Sequence, residues 1–194
     1  MESTVNQQNA SVNDDNVLEL FQTAALILGS QDEAVATVEQ AVARSQADPC
    51  TDPGKAQQES RELLVRMALE RAVELDPAGF RQNDLAGPDL CIDTEDLEST
   101  GVTTEQLTEL IATGAGRPHL REWLEHLRPA SRVVFVLRAM MGKDSASVAE
   151  DLRRANANGG SGWTAEQVGL VFRGALCSLA SSLVHTPGSF AARA

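Results

Sequence analysis

"SVAEDLRRANANGGSGWTAEQVGLVFRGAL", residues 147–176, reads as a short helix, a turn and a longer helix. That is the layout of a helix-turn-helix, whose second helix lies in the major groove of DNA. Val148, Ala149 and Leu152 fit one face of the first helix; Val168, Phe172, Ala175, Leu179 and Leu183 fit one face of the second. Two features depart from a DNA reader. The link "RRANANGGSGW" exceeds the turn of about 3–4 residues that aims a recognition helix. The second helix also offers Gly169, Leu170, Val171 and Gly174 where base-reading side chains belong, and Arg173 is the only base between Trp163 and His185.

Working outward, the remaining periodicity is helical too. In the C-terminal half, Thr103 with Gln106 forms a capping box before a short helix through Leu107, Leu110 and Ile111. Pro118 suits the first turn of a helix with Leu120, Trp123, Leu124 and Leu127. Pro129 opens another with Val133, Val134, Leu137 and Met141, which Gly142 ends; a short helix then spans Ser145 to Arg153. In the N-terminal half a helix beginning near Asn16 turns Val17, Phe21, Ala24 and Leu28 inward and stops at Gly29. Ser30 then caps a helix with Glu33 reaching back to it, and Val35, Val38, Ala41 and Val42 face inward. "ADPCTDPG" reads as a loop, and a third helix from about Gln57 to Leu75 repeats Leu64, Met67, Ala68, Arg71, Ala72 and Leu75 at helical period.

The reading is an all-α chain of two small helical domains joined by an acidic linker. Residues 1–15 are expected to be a disordered polar tail, 16–76 the first domain, 77–102 a Gly-, Pro- and Asp-rich linker, and 103–194 the helix-turn-helix domain. The absence of Tyr and the abundance of Ala, Leu, Glu and Gln favour helices over sheets.

Charge divides the chain in the same way. Residues 1–119 carry 22 acids and 7 bases; residues 120–194 carry 6 acids and 9 bases. The overall −12 opposes phosphate binding, and the +3 of the second half is a weak counterweight. Arg121, Arg128, Arg132, Arg138, Arg153 and Arg154 read equally well as solvated helix faces or as phosphate contacts. Cys50, Cys91 and Cys177 are odd in number and widely spaced, and His119 and His126 have no third ligand at a suitable spacing, so neither a disulfide framework nor a metal site is expected. No cofactor motif and no nucleophile elbow is present. The polar, acidic N-terminus is unlike a signal peptide, no apolar run reaches membrane-spanning length, and a cytoplasmic protein without membrane insertion is expected.

With Leu127, Pro129, Arg132, Val134, Phe135, Leu137, Arg138, Gly142, Val148, Ala149 and Leu152 in place, "LRPASRVVFVLRAMMGKDSASVAEDL" resembles the start of the C-terminal DNA-binding domain of sigma-70 family factors of the extracytoplasmic-function class. Thr164, Val168, Phe172, Ala175 and Leu179 resemble the cap and apolar frame of that family's recognition helix. "LFQTAALILGSQDEAVATVEQAVAR" and "LLVRMALERAVELD" are similar to its N-terminal domain, so the resemblance covers roughly three quarters of the chain. The same apolar spacings suit any helical bundle; it is their joint order that carries the likeness.

The resemblance implies a sigma domain 2-like unit and a sigma domain 4-like unit acting with core RNA polymerase on promoter DNA, without catalysis. It places polymerase contacts near Val38, Glu39 and Gln40, and DNA contacts at Thr164, Gln167, Arg173, Arg153 and Arg154. The chain departs from the family where it carries Ala36 and Glu39 in place of a docking Asp and Gln. Its third helix offers few side chains to stack on melted bases; Arg61, Arg66 and Arg71 there can balance Glu62, Glu70 and Glu74. The expectation is therefore a divergent sigma-like protein with weakened DNA contacts. The alternative is a sigma-shaped interaction module for an anti-sigma or other protein partner, with Leu170, Cys177 and Val184 as an apolar seam or a second buried face.

Overall fold

The computed structural model describes residues 17–44, 52–80, 117–155 and 162–185. Regular structure among them is entirely helical. It comprises α1 (17–28), α2 (Gln31–Arg44), α3 (Pro53–Leu75), α4 (Arg117–His126), α5 (Pro129–Phe135) extended by a π turn (Val136–Met140), α6 (Ser145–Ala155) and α7 (Ala165–His185). No described helix is long and apolar enough to cross a membrane. The chain divides into two compact units, Met1–Asp76 and Pro77–Ala194. Pro77–Phe80, expected as linker, form a turn with the Phe80 ring buried; the rest of that linker and the helix expected from Thr103 lie outside the described residues.

Local signals set the helix ends of the first unit. Gly29 adopts φ +67°, the left-handed conformation that a glycine tolerates best, and its N–H bonds to the Ala25 carbonyl at 2.8 Å. Ser30 Oγ accepts the Glu33 N–H at 3.4 Å, opening α2. The Glu33 carboxylate does not return to Ser30; it crosses to Arg71 on α3. Asp52 Oδ1 accepts the Lys55 N–H at 3.0 Å, and Pro53 occupies the first turn of α3. Pro53 and Gly54, expected in a loop, therefore begin the helix, because Pro lacks only an N–H that the first turn leaves unpaired anyway.

The core of this unit joins Leu20 and Ala24 of α1 to Ala34, Val38 and Ala41 of α2 and Leu64 and Met67 of α3. The inward stripe of α2 is Ala34, Thr37, Val38 and Ala41, so Val35 and Val42, expected inside, are exposed. Thr37 is admitted because its hydroxyl donates to the Glu33 carbonyl at 2.7 Å, satisfying it within the helix. Val17 and Leu75 are likewise exposed rather than inward, each at the end of its helix.

In the second unit α5 is the buried helix. Ala130, Val133, Val134, Phe135, Val136 and Leu137 are all enclosed, as expected where a helix is apolar nearly all round. Its last turn widens: Met141 N–H bonds to Val136 O at 3.1 Å and Lys143 N–H to Leu137 O at 3.0 Å, before Gly142 turns the chain at φ +66°. Asp144 Oδ1 then accepts the Ser147 N–H at 2.7 Å and caps α6, and these hydrogen bonds hold its carboxyl below the usual range. Trp123 of α4 meets Phe135 edge-on at 4.9 Å and donates its indole N–H to Ser178 Oγ of α7 at 3.2 Å. Val134, Leu137, Val148, Leu152, Val168 and Leu179 are buried as expected for a shared core, whereas Phe172 is only partly buried.

Candidate functional site

The expected binding surface rests on α6 and α7, the helix pair of the opening stretch. α6 turns Val148, Ala149 and Leu152 inward. α7 begins with a reciprocal capping box: Thr164 Oγ1 accepts the Gln167 N–H at 3.2 Å, and Gln167 Oε1 accepts the Thr164 N–H at 2.9 Å. Thr164 and Gln167, two of the expected DNA contacts, thus hold one another at the helix start. Trp163, immediately before, is 1% exposed and seals this end of the helix.

Beyond the cap, α7 presents Glu166, Leu170, Arg173 and Gly174 outward. Leu170 is 53% exposed. Val171, expected on this reading face, is 7% exposed and turned inward, because the buried stripe of α7 includes Val168, Val171, Ala175 and Leu179. Cys177, expected in an apolar seam with Leu170 or on a second buried face, is 6% exposed and so parted from Leu170. The Val184 side chain lies outside the described residues. Among the described residues of α7 the outward face thus carries one acid, one base and one leucine, with Ala165, Gly174 and Ser178 between and beside them.

The bases of this unit are largely engaged within it. Arg132 is buried, which lowers its pKa against the opposing charge of Glu125. Arg138 places its guanidinium carbon 5.2 Å from the centroid of the Phe172 ring and donates Nη1 to the Lys143 carbonyl at 2.7 Å. Lys143 Nζ in turn reaches Asp151 Oδ2 of α6 at 2.6 Å. Arg154 pairs with Glu150 and approaches Asp151, and Arg153 Nε donates to the Ala149 carbonyl at 3.3 Å. Arg121 lies 3.8 Å from Glu125. Arg173 is exposed and has no ion-pair partner among the described residues. The relay Phe172–Arg138–Lys143–Asp151 is not legible as a unit in the sequence: Arg138 suits a solvated face or a phosphate contact equally well, and Lys143, in the connection before α6, is eight residues from Asp151.

In the first unit Val38 is a core residue, whereas Glu39 and Gln40 are exposed on α2. Of the three residues expected at polymerase contacts only Glu39 and Gln40 are thus exposed, beside the exposed Val35, Ala36 and Val42. Arg71 does not merely balance charges along its own helix. Its Nε and Nη2 reach Glu33 Oε2 and Oε1 at 2.7 and 3.0 Å, and Nη1 reaches Glu74 at 3.2 Å. The bidentate hydrogen bond from Arg71 holds the Glu33 carboxyl below its ordinary range. Arg61 likewise turns to Glu19 of α1 at 3.4 Å.

No protein-family model matches this chain, and no curated protein and no solved structure matches it either.

Proposed function

We propose that this chain is a divergent, sigma-like transcription protein that works through core RNA polymerase and contributes little DNA affinity of its own. The supporting observation is the outward face of α7, where Arg173 stands alone among Glu166, Leu170 and Gly174. Affinity for duplex DNA comes mainly from phosphate neutralisation. Here Arg132, Arg138, Lys143 and Arg154 are buried, stacked or ion-paired within the unit. The helix pair keeps the cap and apolar frame of a DNA reader, so the reading rests on the sequence resemblance and on that retained frame together. Glu39 and Gln40, on the exposed side of α2, are the residues assigned to polymerase contact.

A second reading, an interaction module for a protein partner, draws on the exposed Leu170 and on the exposed valines of α2. One experiment separates the two. The purified full chain is mixed with core RNA polymerase, and retention is compared with that of a Glu39→Arg, Gln40→Arg variant. Retention that the variant abolishes supports the sigma-like reading; no retention, at any salt concentration, refutes it and leaves the protein-partner reading.

A further inference from the structure

Among the described residues nothing packs against two glycines of α7. Gly169 and Gly174 sit within a 21-residue helix, and a Cβ built at either would meet no heavy atom within 4 Å. Neither has a positive φ. Each weakens the helix relative to alanine, with no tight packing in return. Glycine on a helix surface does permit one thing that alanine does not, the close approach of another backbone.

The residues around these glycines have a symmetry that identifies the approaching surface. Leu170, 53% exposed, is the apolar centre. Glu166 stands one turn before it, and Arg173 and Gly174 one turn after; all three are exposed. If a second α7 crosses antiparallel with a two-fold axis at Leu170, a residue k positions before the centre lies opposite the residue k positions after it. Glu166 of one copy then meets Gly174 of the other, beside its Arg173, and the same pairing recurs across the axis. The surface is self-complementary: leucine on leucine at the centre, acid beside base on both flanks, and a glycine facing each acid. A duplex DNA partner fits worse, because the acid and the base cancel.

We infer that α7 is a homodimerisation helix, pairing antiparallel with a second copy of this chain about Leu170. The inference does not depend on the sigma-like reading, but it uses the same face, so dimer and DNA complex exclude one another. Such an interface is isologous, and a single helix crossing buries less than the roughly 1,200 Å² of a stable complex, so the dimer is a weak one.

The test is sedimentation equilibrium of the full chain at concentrations from about 10 μM to 1 mM, the range suited to an interface of this size. The wild type should show a concentration-dependent monomer–dimer equilibrium. Leu170→Asp should leave it monomeric. Gly174→Leu is the more telling variant: it improves helix propensity and its β-carbon meets no atom within 4 Å in its own chain, yet its side chain fills the space facing Glu166 of the second copy. It should lose the dimer without lowering the melting temperature. Glu166→Arg and Arg173→Glu should each weaken the dimer several-fold, and the two together should restore it. A chain monomeric throughout overturns the inference, whatever else its α7 face binds. So does a dimer that survives Gly174→Leu, or a double reversal that fails to recover what the single changes lose. None of these outcomes bears on polymerase retention, which tests the sigma-like reading separately.

Discussion

The guanidinium of Arg138 lies over the ring of Phe172, 5.2 Å from its centroid, and joins the π turn after α5 to the middle of α7. The same arginine holds the Lys143 carbonyl, and Lys143 holds Asp151 on α6. Arg138 on the π turn and Lys143 just after it therefore tie α7 and α6 to a common point. A tight helix-turn-helix fixes the angle between its helices through a turn of about 3–4 residues; here nine residues, 156–164, separate α6 from α7, and the Arg138 contacts tie the two helices independently of that stretch.

Phe172→Ala should destabilise the second unit by about 1–3 kcal/mol, less than for a fully enclosed ring because Phe172 is only partly buried. Part of that loss belongs to Arg138. A double-mutant cycle of Phe172→Ala with Arg138→Ala, followed by urea unfolding, should give a coupling of about 0.5–2 kcal/mol. Additive single effects would show that the stacking contributes nothing.

Acid should weaken the first unit through Glu33. Its pKa is lowered in the folded chain by the hydrogen bonds from Arg71. The stabilisation is therefore fully present above the ordinary glutamate value of about 4.3, and is lost as pH falls through the lower, folded value. Glu33→Gln should flatten that part of the stability-versus-pH curve, followed by circular dichroism between neutral pH and the acid limb. An unchanged acid limb would mean that other carboxylates carry it.

Glycine positions should respond in opposite directions. Gly174→Ala places a methyl group in open space on a helix and should stabilise the monomer by about 0.5–1 kcal/mol. Gly142→Ala forces a β-carbon into φ +66° and should destabilise by about 1 kcal/mol or more, although it too meets no neighbouring atom. Equal effects in thermal unfolding would refute the distinction between steric space and backbone conformation.

Duplex DNA should bind the full chain weakly and with a shallow salt dependence. Each neutralised phosphate contributes roughly 0.9 to the slope of log K against log salt. With Arg173 as the outward base of α7, Arg173→Ala should remove about one such contact. Lys at Gly169 should strengthen binding, because that position has open space around it. A steep slope in the unmodified chain would place the phosphate contacts on Arg153, Arg154 or Arg128 instead.

Helix boundaries and the all-α class were legible in the sequence because they depend on near neighbours. Gly29 and Gly142 stop helices through their own backbone conformation, and Thr164 begins one through a bond spanning three residues, whereas its reciprocal partner Gln167 is expected from the sequence only as a DNA contact. The start of α3 carried the same kind of signal in Asp52 and Pro53, which reads as a break unless the cap is weighed together with the proline.

Helix rotation and the choice of ionic partner were decided by the tertiary structure. Val35, Val42 and Val171 satisfy a helical period on more than one phase, and only the neighbouring helices select which phase is enclosed; that selection exposes the first two and buries the third. Arg71 has acids within reach on its own helix, yet it turns chiefly to Glu33, 38 residues away, because α2 brings both carboxylate oxygens into bidentate range. Sequence spacing specifies interactions within a turn or two of helix. Contacts between helices depend on packing geometry, which is why Arg138 and Lys143, read along the chain as basic residues, are drawn into the fold instead of remaining on its surface.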